Sequence, residues 1–251
     1  MTDDPPASDG LFPIAAQIAG LASARGRDEG PLVIGVTGAV ASGKSTFATQ
    51  LRETLTAGLN PPWVEIVCTD GFLMPNARLE ALGLMDQKGF PPSYDTAALH
   101  AALTAIRTGS VVIPAYSHVT YDVDPALART LQSPDILIVE GLNLHHRAAD
   151  PEAPDPLDLL FYLDADEALL EAWFLARFMG LYDAAEHDPA SFYARFHPMG
   201  REATEAIARN VWREVNLRNL HENIVLARAG ADMVIVKGEG HEILSVEARL
   251  G

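Results

Sequence analysis

The chain has 251 residues, 48% hydrophobic and 21% charged, an ordinary globular composition that suits one large α/β domain or two small ones. A formal net charge of −16 disfavours nonspecific nucleic-acid binding and anionic membrane surfaces. One cysteine, Cys68, rules out an internal disulfide framework. No apolar run approaches the roughly 18 residues of a membrane span, and the acidic start MTDDPPASDG lacks a signal's basic region, so a cytoplasmic protein without membrane or nucleic-acid partners is expected.

Residues 1–10, with two prolines and three aspartates, read as a disordered tail. Leu11, Ile14, Ile18 and Leu21 then recur at helical spacing, predicting a short helix over 11–25 packed on the edge of the core. Residues 26–31 form a linker, so 1–30 read as a tail and helix preceding a single domain over 31–251.

Residues 32–46, LVIGVTGAVASGKST, are the organising stretch. Leu32 to Val36 read as a buried strand, and Gly38-Ala39-Val40-Ala41-Ser42-Gly43-Lys44-Ser45 matches G-x-x-x-x-G-K-[ST]. Phe47, Leu51 and Leu55 then mark a helix. Such a loop turns successive N–H groups on an anion at the positive end of a helix. Residues 38–46, Thr46 included, are therefore the candidate nucleotide-phosphate-binding segment, with Lys44 on the β- and γ-phosphates and Ser45 on Mg²⁺.

Gly58 to Pro62 stop that helix, and Trp63 to Cys68 form a second strand, in which Cys68 is expected as a small core residue. Thr69-Asp70-Gly71-Phe72 follows, placing Asp70 at a strand's C-terminal end, where open α/β sheets hold their ligands. Residues 73–95 are a long polar segment containing Lys88, Phe90 and Tyr94, a length and content that favour function. Asp95 or Thr96 caps a helix over 97–108. Val111 to Pro114 is a short extended run, and the segment from Tyr116 to Asp122 is dense in hydrogen-bonding side chains. Asp135 to Gly141, DILIVEG, is the clearest buried strand and ends in Glu140. Residues 147–157 read as a surface loop, Leu157–Leu163 as a strand, 167–183 as an amphipathic helix, and 189–228 as mostly helical with a break at Pro198–Gly200. Met233 to Val236 is the last clear strand, and 241–249 fits either helix or strand. Alternation of strands and helices predicts an α/β fold, a mostly parallel sheet with helices on both faces.

Three strand ends thus supply the phosphate loop, Asp70 and Glu140. Glu140 suits a second Mg²⁺ ligand, and Asp70 suits a base for an acceptor hydroxyl, with a metal ligand or a turn residue as its alternatives. Arg177, on an otherwise apolar helix, is either a snorkelling surface arginine or a lid arginine closing over the transferring phosphate. The eight histidines show no metal-ligand spacing.

The segments GVTGAVASGKST, TDGFLMPNARLEALGLMDQKGFPPSYD, PAYSHVTYDV, PDILIVEGLN, WFLARF and NLRNLHENI resemble bacterial type I pantothenate kinase, in that family's order, over about residues 30–250. The resemblance implies a P-loop kinase fold with a helical lid, related to phosphoribulokinase and uridine kinase. It implies ATP-dependent phosphorylation of the primary hydroxyl of pantothenate, the first step of coenzyme A synthesis, by a homodimer. By position it implies Asp70, Lys44 and Arg177 as catalytic, Tyr116, His118, Tyr121 and Asn216 around pantothenate, and His241 beside the nucleotide base. Phe174 stands where the family has a pantothenate-binding tyrosine, and Phe192 and Phe196 also replace tyrosines. Thr49 and Leu181 replace residues of the family's coenzyme A feedback pocket, which implies weak feedback, and the shortened N-terminus leaves the adenine contacts to be built differently. A related kinase for a sugar, nucleoside or hydroxy acid is the alternative, and a nucleotide-binding regulatory module is the alternative of another class.

Overall fold

The computed structural model describes residues 10–26, 29–58, 61–146 and 155–249. The expected tail (1–9), part of the stop at 58–62 and most of the loop at 147–157 lie outside the described residues.

A six-stranded sheet carries the fold in the order β10-β9-β8-β1-β7-β2. Its strands are β1 Leu32–Gly38, β2 Val64–Cys68, β7 Ile136–Glu140, β8 Leu159–Asp164, β9 Met233–Lys237 and β10 Ile243–Ala248. All neighbours pair in parallel except β9 with β10, which settles the ambiguous 241–249 segment as an antiparallel edge strand. Two small two-stranded antiparallel sheets accompany it, β3 Val111–Ile113 with β6 Arg129–Leu131, and the hairpin β4 Tyr116–Ser117 with β5 Asp122–Val123.

The period-2 alternation of the central strands feeds two cores, as a sheet buried on both faces requires. Leu32, Ile34 and Val36 of β1 and Ile136 and Ile138 of β7 join α1 (Leu11–Ala24) and α2 (Lys44–Thr56) on one face, through Ile14, Ile18, Phe47 and Leu51. Val33, Leu137 and Val139 join the other face, with α4 (Thr96–Ala105), α5 (Glu167–Ala184), α6 (Arg201–Val211) and α7 (Leu226–Gly230). A short helix, α3 (Asn76–Leu82), organises the segment after Asp70. Asp95 caps α4, its Oδ1 accepting from Ala98 N at 2.9 Å. Cys68 is exposed, not in the core as its apolar strand suggested, because β2 is the sheet's edge strand and its last residue lies at the open C-terminal end.

Register brings the functional ends together: Val36 and Cys68 both stand opposite Glu140. Two glycines make that convergence possible. A Cβ on Gly141 would stand 1.7 Å from Thr69 Oγ1, so β7 and β2 close up just past Glu140 only without a side chain there. A Cβ on Gly71 would stand 2.3 Å from the Pro114 carbonyl, so the chain leading into β4 packs directly on the Asp70 turn.

Candidate active site

The phosphate loop leaves β1 and enters α2 with its helix N-terminus open. Lys44 is folded back, Nζ donating to the carbonyls of Gly38 (3.2 Å) and Ala39 (2.8 Å). Burial lowers the Lys44 ammonium from its ordinary value, opposed by the charges of Glu140 and Asp70. Ser45 Oγ donates to Glu140 Oε1 at 2.9 Å, and Glu140 is buried at the end of β7. These are two hard oxygen donors beside the anion cradle, a pairing that suits Mg²⁺, which takes one or two protein oxygens and completes its shell with phosphate and water.

Asp70 lies on a 3-10 turn directly after β2, and the buried Tyr94 hydroxyl donates to its Oδ1 at 3.2 Å. Burial drives the Tyr94 phenol well above its usual range, and the adjacent Asp70 charge adds to this, so Tyr94 remains a hydrogen donor. Beyond Asp70 opens a cavity of about 260 Å³. Asp70, Tyr116, His118, Tyr121, Phe174, Arg177 and Asn216 all line it. The structure therefore assembles around one space side chains drawn from a turn, a hairpin, α5 and the helical stretch after α6.

The chemistry of the walls divides. Asp70, Tyr116, His118, Arg177 and Lys88 are polar; Phe174, Phe178, Leu181, Phe192, Phe196 and Val215 are apolar. Burial lowers the His118 imidazole, as does the Arg177 charge, against the opposing charges of Asp70 and Glu140. Burial pushes the Tyr121 phenol up to about 12. Asn216 sits in a π-helical stretch, Trp212–Leu217, whose wider turn interrupts the long helical segment. Its Nδ2 is buried without a hydrogen-bond partner among the described residues, a donor left for a ligand. Arg177 is exposed on α5 and has no ion-pair partner among the described residues.

His241 is not among the residues lining this cavity and lies beside Gly43 of the phosphate loop. It stacks on Trp173 with ring centroids 3.9 Å apart, and a Cβ on Gly43 would stand 3.4 Å from its Nδ1. Lys237, buried at the end of β9, brings its Nζ within 3.6 Å of the same point. From sequence, Lys237 and Trp173 carry no functional role, and Lys88 and Tyr94 are marked only as functional content of residues 73–95, without the Tyr94–Asp70 contact. For Lys237 a signal existed: it ends the apolar run MVIV as Glu140 ends ILIV.

A phosphate loop, a Ser–Glu pair beside it and an acid facing a cavity define a P-loop kinase, an ATP-dependent phosphotransferase. The chain matches the Phosphoribulokinase / Uridine kinase family over residues 33–180 and belongs to that family. It is 45% identical over 228 residues to the "Pantothenate kinase" of Rhizobium rhizogenes, covering 87% of this chain and 69% of that protein. It is 43% identical to the protein of the same name from Brucella ovis, covering 87% and 71%. A solved structure described as a putative fructose transport system kinase from Silicibacter sp. superposes with a TM-score of 0.68 at 25% identity, covering 91% of this chain and 98% of that one. The resemblance drawn from the motifs is thereby borne out, as is the mostly parallel α/β fold.

Proposed function

We propose that this protein transfers the γ-phosphoryl group of ATP to the primary hydroxyl of pantothenate, the first step of coenzyme A biosynthesis. The observation that carries the reading is the position of Asp70, on the wall of the acceptor cavity and next to the strand end that bears the Ser45–Glu140 pair. The relatives named pantothenate kinase supply the acceptor.

In this reading the loop 38–46 takes the phosphates, with Lys44 released from its own carbonyls onto the β/γ oxygens. Ser45 and Glu140 would hold Mg²⁺, which neutralises phosphate charge when bound. Asp70 accepts the proton of the acceptor hydroxyl as that oxygen bonds to the γ-phosphorus and the bond to ADP breaks. A carboxylate suffices because proton transfer can be late in a loose transition state. Arg177 approaches the transferring group from α5. Asn216, Tyr116 and His118 orient the acceptor's polar groups, while the aromatic wall takes its dimethyl carbon. His241 and Trp173, with Lys237 beside them, lie on the nucleotide-base side. The family resemblance further supports a cytoplasmic homodimer.

A second reading, a kinase for a sugar or related hydroxylated metabolite, is favoured by Phe174, which gives the cavity no hydroxyl at that position, and by the likeness to the putative fructose transport system kinase. Coupled ADP release measured on the purified protein with pantothenate, fructose, uridine and D-glycerate separates the two. Pantothenate is expected to give the highest kcat/KM by about tenfold or more. Turnover of another member above pantothenate would overturn the assignment and leave the phosphotransfer chemistry intact.

A further inference from the structure

Tyr121 occupies the left-handed region, with φ +57°. A bulky aromatic residue stays there only where its surroundings hold it. The groups that hold it lie outside the hairpin that carries it. The Tyr121 carbonyl accepts from Lys88 Nζ at 2.6 Å and from Asn76 Nδ2 at 3.0 Å. Lys88 Nζ also donates to Asn76 Oδ1 at 2.7 Å, so the three groups form a closed triangle. Asp122 extends it, its Oδ1 accepting from Asn76 N at 3.0 Å and from Val123 N at 2.8 Å.

The segment bearing Lys88 is itself fixed. The Gly89 carbonyl accepts from Asn143 Nδ2 at 2.7 Å and from Asn219 Nδ2 at 2.8 Å, and Gly89 N donates to Ser93 Oγ at 2.9 Å. The Lys88 ammonium lies 4.3 Å from the Tyr121 ring centroid and 5.0 Å from that of Tyr116. The opposite constraint comes from the segment after α5: Phe192 stacks on Tyr121 at 4.3 Å, and its N donates to the Val119 carbonyl at 2.9 Å.

We propose that Lys88 and Asn76 are positioning residues for acceptor binding: they clamp the Tyr121 carbonyl, hold the strained turn, and thereby set the wall of the cavity formed by the Tyr121 and Tyr116 rings. The clamp joins the segment after Asp70 to the β4–β5 hairpin, so the acceptor is held at a fixed distance from Asp70. Lys88 also lines the cavity, and the role assigned to it is the one exerted through the Tyr121 carbonyl, which a double-mutant cycle separates from a direct contact with the acceptor. This inference rests on the reading of that cavity as the acceptor site.

The test is a double-mutant cycle with full kinetics on the intact protein. Lys88→Met and Asn76→Ala are each made alone and each in a Tyr121→Ala background, with folding checked by circular dichroism. Lys88→Met is expected to raise the acceptor KM about tenfold, with kcat within about threefold and the KM for ATP unchanged. Asn76→Ala is expected to move the acceptor KM several-fold in the same direction, and it carries the test if Lys88→Met does not fold. In the Tyr121→Ala background neither substitution is expected to add more than about twofold, because the clamped carbonyl remains but the ring that it positions against the acceptor is gone. Effects that multiply in full in that background, or an unchanged acceptor KM in the single variants, would overturn the proposal. The cycle uses whichever acceptor the wild-type protein turns over, so failure with pantothenate counts against the acceptor assignment and not against the clamp.

Discussion

Ser45 Oγ donates to Glu140 Oε1 at 2.9 Å, joining the first turn of α2 to the end of β7. The contact holds a hydroxyl and a buried carboxylate beside the phosphate cradle in the arrangement that a cation and phosphates would share. Glu140→Gln keeps the shape and the hydrogen bond but removes the charge. The expected outcome is a fall in kcat of about 10- to 100-fold, with a higher Mg²⁺ concentration for half-maximal rate and nucleotide affinity within a few-fold. Magnesium titrations of the steady-state rate check this; an unchanged titration would separate Glu140 from the metal.

Asp70 carries the proton-transfer reading. Asp70→Asn is expected to lower kcat by about 10²-fold or more while ATP still binds. Tyr94 donates to Asp70 Oδ1, so Tyr94→Phe removes one orienting hydrogen bond and leaves the base. A loss of about tenfold or less is expected from it. Single-turnover rates with direct nucleotide binding measure both, and near-wild-type turnover of the asparagine variant would remove Asp70 from the base role.

The parts of this site that were legible in the sequence are those encoded locally. The strand–glycine loop–helix pattern, the acid just past strand 64–68 and the acid ending strand 136–140 need only periodicity and chain order. Asn216 was legible only by resemblance, because its meaning depends on a π-helical turn that aims an unpartnered amide at the cavity. Lys88 and Asn76 were illegible as a pair: twelve positions apart, they meet on the carbonyl of a third residue. Cys68 was misread because hydrophobic pattern identifies a strand without saying that it lies at the sheet's edge. No rule of spacing distinguishes those cases; packing decides them.

Phe174 is buried on α5, with ring centroids 5.9 Å from Phe178 and 5.7 Å from Trp212, and it lines the cavity beside Asp70. Phe174→Tyr adds a hydroxyl to a residue of that cavity's wall. Phe174→Tyr is expected to lower the KM for pantothenate about fivefold, the equivalent of about 1 kcal/mol for one added hydrogen bond. Acceptor-dependent kinetics at saturating ATP measure it. A raised KM would mean that the apolar wall, not a missing donor, selects the acceptor.

A pH-dependent contribution to stability lies at the other end of the sheet. His146 holds Nδ1 3.0 Å from Asp155 Oδ2 and sets Nε2 against Asp232 Oδ2, which also accepts from Leu160 N at 2.7 Å. Burial pushes the imidazole down, but the hydrogen bonds to Asp232 and Asp155 outweigh it and hold the group above its ordinary value of 6.5. A histidine raised in the folded state stabilises fully below its unfolded value and loses that contribution as pH rises through the folded one. His146→Gln is therefore expected to cost about 1 kcal/mol near pH 6, a Tm drop of roughly 2–4 °C, and clearly less at pH 8.5. Thermal melts of both proteins across that range measure the difference, and an equal loss at both ends would show that the imidazolium contributes nothing beyond its shape.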